Sequence, residues 1–286
     1  MEKLIQLSCR YGADEEYVLA GGGNTSVKDG GFLYVKCSGA TLADATADSF
    51  VKMDRCALDK VWEKDYANDA EVREQEMRCD LMRASLEIGK EPSVETFIHN
   101  LFPQKYVVHL HPAVVNGLTC ATDGKAHAEK LFGHRIVWIA ESKPGYALTK
   151  TVRDALAKYK ADENKDADIV LLQNHGIFVA ADQAEDIEKI YTTVLDTIRG
   201  AAGVCAATAE VEINKERAAL VAPMLRMRLW EGASSIVTFF DNALMHDYIT
   251  DENAFSAIQN PFTPDHIVYC GRECLFVEDK ADIDEQ

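Results

Sequence analysis

Two histidines lie one residue apart in the apolar stretch "YVVHLHP", which covers residues 106–112. Such a stretch is typical of a buried strand, and side chains in a strand alternate between its two faces. His109 and His111 are therefore predicted to point to one face, and Val108 and Leu110 to the other. Two imidazoles side by side on one face pack poorly, but they suit a metal ion.

A third histidine, His175, lies far beyond His111 along the chain, in the sequence "QNHG". Two predicted strands meet there, and Gly176 permits a tight turn. Two strand histidines and a distant one match the pattern of many zinc sites, which keep a position for water or substrate. The spacing also fits hydrogen-bonded core histidines and does not decide between these interpretations. The remaining histidines are predicted to be structural or surface residues: His99, His127, His134, His246 and His266.

A carboxylate and a glycine-rich segment add to this set. Glu95, in "PSVETFIH", precedes His109 by enough chain for a helix and a turn. It is a candidate ligand or general base, and a solvated helix acid is the alternative. "AGGGNTS" lacks the spacing of a P-loop, yet its backbone N–H groups, with the side chains of Asn24, Thr25 and Ser26, could bind an anion. An ordinary turn is the alternative here, and Lys36 in "KCSG" adds a positive charge.

The elements that must position these residues alternate between strands and helices along residues 20–200. Apolar runs predict strands at "KYVVHLHP", "HRIVWIA" and "ADIVLLQNHGIFVA", and Asp29-Gly30-Gly31 predicts a hairpin. Amphipathic patterns predict helices over residues 67–90 and after residue 182. The alternation predicts a layered α/β domain over residues 1–206. Residues 207–286 are predicted to be helical, then extended around "DHIVYCGRECLFVE", and to pack on this domain.

Composition argues against several classes of function. The chain has 286 residues, of which 47% are hydrophobic, and this is a globular composition without an apolar run that could span a bilayer. A net charge of −17, from 30 basic and 47 acidic residues, argues against nucleic acid and membrane partners. The eight cysteines include no CxxC pair, and acids near the N-terminus do not fit a signal peptide. We therefore expect a cytoplasmic protein that acts on a small molecule.

Five motifs in register carry a family resemblance. With "GGGNTS", "KCSG", "PSVETFIH", "HLHP" and "QNHG", the sequence resembles the class II aldolase/adducin superfamily over roughly residues 5–200. "AGGGNTSVK" and "TPDHIVY" are most similar to the aldolase domain of bifunctional rhamnulose-1-phosphate aldolase/short-chain dehydrogenase proteins. The resemblance implies a three-layer α/β/α fold around a central, largely antiparallel sheet. It also implies a homotetramer with active sites between subunits. A further interpretation left open is that the protein is a catalytic or regulatory half that acts with a separate dehydrogenase partner.

The resemblance assigns roles to individual residues. His109, His111 and His175 match the metal-binding histidines, and Glu95 matches the carboxylate that ligates the resting metal and acts as the base. The loops that hold the substrate phosphate match Asn24, Thr25, Ser38, Gly39 and Ser93.

The implied reaction is the cleavage of a ketose 1-phosphate, similar to rhamnulose or fuculose 1-phosphate, to dihydroxyacetone phosphate and an aldehyde through an enediolate. One Zn²⁺ per subunit would act as the Lewis acid. The second acid of the family has no match at the expected position after His111. Glu141 and Tyr146, in "ESKPGYAL", are the candidates to replace it.

Two other interpretations remain open. A sugar-phosphate epimerase or dehydratase could use the same metal site, but epimerases of the family tend to carry Asp where this chain has Glu95. A non-catalytic, adducin-like binding module is the second alternative. Such modules tend to lose the metal histidines, and this chain keeps all three. Both comparisons favour an aldolase.

Overall fold

The computed structural model of the chain describes residues 1–203, 211–230, 232, 235–261, 263–271 and 274–277. These residues form two compact units. The first unit comprises Met1–Ala202 together with residues 263–269, and the second comprises the other described residues. The predicted boundary near residue 206 lies outside the described residues, and the packing of 207–286 on the domain stays a prediction.

A seven-stranded sheet with the order β3-β2-β1-β4-β7-β6-β5 forms the centre of the first unit. The strands are β1 (Asn24–Asp29), β2 (Phe32–Lys36), β3 (Phe50–Asp54), β4 (Tyr106–Leu110), β5 (Val137–Ile139), β6 (Ile169–Leu172) and β7 (Gly176–Ala181). Within this sheet β5 and β6 are parallel, and the other neighbouring strands are antiparallel. The predicted largely antiparallel sheet is confirmed. Strands β1 and β2 form the predicted hairpin, in which Gly30 has a φ of +57°.

Helices cover both faces of the sheet. The helices of the first unit are α1 (Glu2–Gly12), α2 (Arg55–Lys60), α3 (Ala70–Ala84), α4 (Thr96–Leu101), α5 (Ala113–Thr119), α6 (Gly124–Phe132), α7 (Tyr146–Glu163) and α8 (Ala184–Ala202). Helices α1, α5, α6 and α8 bury their apolar residues on one face. Helices α2, α3, α4 and α7 cover the other face. The predicted α/β/α arrangement is therefore confirmed.

The alternation of side chains along β4 determines the face of the sheet on which His109 lies. Val108 and Leu110 belong to the apolar cluster on the α1/α8 face, and Val107 belongs to the cluster on the α4/α7 face. His109 lies on the same face as Val107, and its ring stacks on that of Phe178 with a centroid distance of 4.0 Å. The predicted alternation therefore carries His109 to the face beneath α4.

The second unit contains α9 (Lys215–Arg228), α10 (Ala243–Tyr248) and α11 (Glu252–Phe255), which confirms the predicted helical start of the tail. Within the predicted extended stretch "DHIVYCGRECLFVE", the prediction is wrong for His266–Cys270, which forms a π-helical turn. Thr263 stabilises the start of this turn, since its Oγ1 accepts a hydrogen bond from the His266 backbone N–H at 3.2 Å. In the described part of the chain, no helix is long and apolar enough to cross a membrane.

Candidate active site

The site begins where β4 ends. His109 is fully buried, and its Nδ1 donates a hydrogen bond to the carbonyl oxygen of Ile177, 3.0 Å away on β7. His111 follows the last residue of β4, and its backbone N–H donates to the Tyr17 carbonyl at 3.1 Å. The sheet thus fixes His109 directly and fixes His111 through the chain that leaves the strand.

The turn between β6 and β7 brings His175 to the same point. Asn174 adopts a left-handed conformation there, with a φ of +57°. A Cβ atom at Gly176 would lie 2.5 Å from the Leu110 carbonyl oxygen and 2.8 Å from Cδ2 of His111. Glycine at position 176 therefore lets the turn approach β4 closely enough for the third imidazole to meet the other two.

The three imidazoles converge through their Nε2 atoms. The Nε2 atom of His109 lies 3.0 Å from that of His111 and 3.2 Å from that of His175. The Oε1 atom of Glu95 lies 3.4 Å from His109 Nε2 and 3.5 Å from His175 Nε2. The predicted ligands, which come from distant parts of the sequence, thus surround one point.

The protonation state of the imidazoles makes the place where their Nε2 atoms converge suitable for a cation. A carbonyl oxygen only accepts hydrogen bonds, so Nδ1 of His109 carries the proton and Nε2 presents a lone pair. Burial, together with the imidazoles of His111 and His175, holds the pKa of His109 well below its ordinary value, so the ring is neutral. Burial also lowers the pKa of His175. Neutral imidazoles whose lone pairs converge are the form that binds a metal ion.

Glu95 supplies the fourth group. It precedes the first residue of α4, and its backbone N–H donates to Ser93 Oγ at 3.3 Å. Its Oε1 atom is buried and has no hydrogen-bond partner in the described structure. An unpaired buried carboxylate oxygen is costly. The side chains at this point therefore fit a bound metal ion, which would satisfy Oε1 and separate the converging lone pairs.

A chain of hydrogen bonds orients the Glu95 carboxylate. Asn24 Nδ2 donates to Glu95 Oε2 at 2.7 Å, and Asn24 Oδ1 pairs with His99 Nε2. Ser26 Oγ lies 2.7 Å from His99 Nδ1. Burial holds the pKa of His99 well below its ordinary value, so the neutral ring donates from Nε2 and accepts from the Ser26 hydroxyl. His99, which was predicted to be a structural or surface residue, is buried and links Asn24 to Ser26.

A cavity of about 310 Å³ opens beside these groups. Its described lining includes Gly21–Asn24, Lys36–Gly39, Ser93–Glu95, His111, Pro264, Asp265, Val268 and Tyr269. Backbone hydrogen bonds join two of these loops, because the Ser38 N–H donates to the Glu91 carbonyl and the Ser93 N–H donates to the Lys36 carbonyl. Four of the five predicted phosphate-binding residues line this cavity: Asn24, Ser38, Gly39 and Ser93.

Thr25 does not line the cavity, and its predicted side-chain role in phosphate binding needs correction. Consecutive residues of β1 point to opposite faces of the sheet, so Thr25 faces away from Asn24. Its hydroxyl is fully buried and lies 2.7 Å from the hydroxyl of Ser8 on α1. Thr25 therefore ties the strand to a helix on the other face.

Lys36 places a buried positive charge at the cavity. Its Nζ donates to the carbonyl oxygens of Gly21, at 3.1 Å, and Ala40, at 2.5 Å, which links the two glycine-containing loops. Burial lowers the pKa of Lys36 to about 8, so most of the lysine is still charged near neutral pH. The predicted positive charge is thus present at the cavity wall.

The two candidates for the second acid lie elsewhere. Glu141 accepts a hydrogen bond from Asn174 Nδ2 at 2.9 Å, and the Tyr146 ring packs edge-on against Tyr66. Neither side chain is among the described residues that line the cavity. Both candidates rested on position in the sequence. In the structure Tyr146 begins α7, and Glu141 contacts the turn that precedes His175.

Sequence reasoning missed Asp265 and Tyr269 as site residues. Both line the cavity, and Asp265 Oδ1 lies 2.8 Å from Nδ1 of His111. "TPDHIVY" contributed to the family resemblance, but nothing in its spacing indicates a contact with a histidine 154 positions earlier. The polar Asp265 within this motif was the available signal.

The chain belongs to the family described as Class II Aldolase and Adducin N-terminal domain, whose model matches residues 3–197. A relative from Bacillus subtilis (strain 168), "Uncharacterized oxidoreductase YuxG", is 26% identical over 302 residues. The match covers 97% of this chain and 42% of the relative, so the chain spans about two fifths of the relative's length. The superfamily resemblance inferred from the five motifs is confirmed.

Solved structures support the fold. The N-terminal class II aldolase domain of a conserved protein from Thermoplasma acidophilum is 24% identical, with a TM-score of 0.58, over 69% of this chain and 91% of that one. YgbL from Klebsiella pneumoniae is 18% identical, with a TM-score of 0.50, over 77% of this chain and 96% of that one. At these identities the two structures show a shared fold.

Proposed function

We propose that the chain is a zinc-dependent class II aldolase. In this proposal it cleaves a ketose 1-phosphate, similar to rhamnulose 1-phosphate or fuculose 1-phosphate, to dihydroxyacetone phosphate and an aldehyde. The observation that carries the proposal is the convergence of three histidine nitrogens and the unpaired Glu95 oxygen beside a cavity that contains Lys36. Membership of the class II aldolase and adducin family supports it.

His109, His111, His175 and Glu95 would hold one metal ion per chain. Three imidazoles and one carboxylate suit zinc better than magnesium or calcium, which prefer oxygen ligands. When bound, zinc supplies a Lewis acid that stabilises negative charge as it develops on a substrate oxygen.

Glu95 would move the proton. Its Oε2 atom is held by Asn24, and its Oε1 atom is free of protein hydrogen bonds in the described structure. In the condensation direction, this carboxylate would accept the C3 proton of dihydroxyacetone phosphate. In the cleavage direction, it would return a proton to the same carbon. A carboxylate with one oxygen fixed and the other unpaired is suited to such a transfer.

The substrate phosphate would lie against the loops that contain Ser38, Gly39 and Ser93. The hydroxyls of the two serines offer donors, and Lys36 offsets the negative charge from the cavity wall. Because the chain as a whole is strongly acidic, this local positive charge is the feature that would attract an anionic substrate.

The assembly is part of the proposal. We expect a cytoplasmic homotetramer with active sites between subunits, and light scattering after gel filtration that gave a monomer would contradict it. We also expect a separate dehydrogenase partner, an expectation supported by the oxidoreductase name of the much longer relative. A pull-down from native extract would test this, and recovery of the protein alone would count against it.

The experiment that tests the proposed reaction is a panel of ketose 1-phosphates, assayed for release of dihydroxyacetone phosphate. At least one substrate should be cleaved, and a chelator should abolish the cleavage until zinc is restored. His109→Ala should be inactive on the same substrate. Cleavage that persists after complete metal removal, or no cleavage across the panel, would contradict the proposal.

A further inference from the structure

A short segment near the C-terminus, Thr263–Tyr269, belongs to the first unit although it lies outside the residues that the family model matches. Along the chain, Gly203–Pro261 separates this segment from the rest of its unit. The segment contributes Pro264, Asp265, Val268 and Tyr269 to the wall of the cavity. The site thus includes residues that the family domain does not supply.

Asp265 makes the closest contact between this segment and the three histidines. Its Oδ1 atom lies 2.8 Å from Nδ1 of His111, and its Oδ2 atom accepts a hydrogen bond from the Leu19 N–H at 3.1 Å. The residue is only 3% exposed. Both carboxylate oxygens are therefore engaged, which fixes the orientation of Asp265 as well as that of the imidazole.

The glycine-rich loop leaves space for this carboxylate. The loop turns at residues 19–22, where the Gly22 N–H donates to the Leu19 carbonyl at 2.9 Å. A Cβ atom at Gly22 would overlap the carboxylate of Asp265. Glycine at position 22 therefore leaves room for the buried carboxylate of Asp265 to contact Nδ1 of His111.

The contact with Asp265 determines which nitrogen of His111 carries the proton. An ionised carboxylate only accepts hydrogen bonds, so Nδ1 of His111 carries the ring proton and Nε2 presents its lone pair to His109 and His175. In His109 the proton is likewise held on Nδ1, but there the hydrogen-bond acceptor is the neutral carbonyl oxygen of Ile177. A carboxylate partner additionally makes the imidazole a stronger ligand, and loss of such a partner typically lowers metal affinity about 10- to 100-fold.

We propose that Asp265 is a positioning residue of the metal centre, acting through His111, and that Thr263–Tyr269 is a functional part of the site. The inference rests on the proposed metal centre. Asp265 holds the Nδ1–H tautomer of His111 and aims its Nε2 atom at the point where the other ligands converge. It touches no reacting atom in this account.

The test measures zinc and cobalt affinity of the metal-free full chain by competition with a coloured chelator. Asp265→Asn is nearly isosteric, and we expect it to weaken zinc binding about 10- to 100-fold and to change the visible absorption spectrum of bound Co²⁺. The matched control is Asp251→Asn, because Asp251 also accepts a backbone hydrogen bond, from Ala254 N–H at 2.9 Å, but lies in the second unit. This control should bind both metals like the wild type.

A double-mutant cycle separates positioning from a general effect on the fold. Because Asp265 acts through His111, Asp265→Asn should weaken zinc binding in the wild type but cause little further loss in a His111→Ala background. Equal losses in the two backgrounds would overturn the proposal. Wild-type affinity with an unchanged cobalt spectrum would overturn it, as would unfolding of Asp265→Asn by circular dichroism, which would assign the residue to stability.

These outcomes are distinguishable from failure of the proposed function, because metal binding needs no substrate. A wild-type protein that binds zinc but cleaves no ketose 1-phosphate would refute the aldolase and leave the role of Asp265 intact. An active wild type, with an Asp265→Asn variant that binds zinc equally well, would refute the role of Asp265 alone.

Discussion

Asn24 and Glu95 lie 71 residues apart in the chain, and the Asn24 amide donates a hydrogen bond to Glu95 Oε2 at 2.7 Å. The contact leaves Oε1 to face the three imidazoles. Asn24 is held in turn by His99, and His99 by Ser26. In the described structure, the orientation of the proposed base is therefore set by neutral groups of β1 and α4.

The first prediction follows from this contact. Asn24→Ala should slow solvent exchange of the dihydroxyacetone phosphate C3 proton by on the order of 10²-fold at saturating substrate, because a misplacement of about 1 Å costs that much. Zinc content should stay near the wild-type value. The matched control is Thr25→Val, because Thr25 follows Asn24 in β1 but contacts Ser8 on the opposite face. This variant should exchange the proton like the wild type. A wild-type exchange rate in Asn24→Ala would show that Glu95 needs no such support.

The second prediction compares the two serine-containing loops of the cavity with Thr25, which faces the other side of the sheet. Ser38→Ala and Ser93→Ala should each raise KM for a phosphorylated substrate about tenfold, because a hydrogen bond to a charged group contributes about 1.5–3 kcal/mol. Thr25→Val is the control on the opposite face. It should leave KM unchanged and lower the free energy of unfolding by about 1 kcal/mol, through loss of the hydrogen bond with Ser8. If KM rose for Thr25→Val and not for the two serine variants, Thr25 and not Ser38 or Ser93 would contact the substrate phosphate.

Local patterns predicted the fold, and they predicted the face of the sheet on which His109 lies. The alternation in β4 placed His109 on one face, and the Asp29-Gly30-Gly31 turn predicted the β1–β2 hairpin. The same alternation, applied to β1, would have shown that Asn24 and Thr25 cannot share a cavity. A motif match assigns a role to a whole segment, whereas the alternation of the strand decides which of its side chains lie on the same face.

The contribution of the C-terminal segment could not be predicted in this way. "DHIVYC" has β-branched and apolar residues typical of a strand, yet Thr263 caps a π-helical turn there. The Asp265–His111 contact joins residues 154 positions apart, and side-chain periodicity carries no information about such pairs. Tertiary contacts fix both features.

The third prediction concerns pH and the buried Lys28, whose Nζ donates a hydrogen bond to the Gln104 carbonyl at 2.9 Å. Burial, and secondarily Arg55, lowers the pKa of Lys28 from 10.5 to about 7, and Asp182 opposes this shift. Between about pH 7 and 10 the unfolded chain therefore binds one more proton than the folded chain. The free energy of unfolding should rise with pH over this window, as far as Lys28 determines it.

Lys28→Met should accordingly stabilise the protein at pH 6, and this advantage should shrink by on the order of 2 kcal/mol by pH 9. Urea unfolding at both pH values gives the comparison. Lys125→Met, at an exposed lysine, is the control and should show no such pH dependence. An advantage that stayed constant between pH 6 and pH 9 would show that Lys28 does not titrate in this range.

The fourth prediction is the metal content. Elemental analysis of the purified protein should give about one zinc per chain, and His109→Ala should lose most of it because the fully buried central ligand is removed. His127→Ala is the matched control, since this exposed histidine pairs with Asp123 on the surface. If His109→Ala kept the wild-type zinc content, His109 would not be a metal ligand and the proposed metal centre would be contradicted.

The measurement that tests the central claim most directly is exchange of the dihydroxyacetone phosphate C3 proton with solvent deuterium, followed by NMR. It requires no knowledge of the aldehyde. The wild type should exchange this proton, and a chelator should stop the exchange. Glu95→Gln, which is nearly isosteric, should keep its fold and much of its zinc but lose at least about 10²- to 10⁴-fold in rate. Exchange by Glu95→Gln at the wild-type rate would contradict the account, because Glu95 would then not be the base.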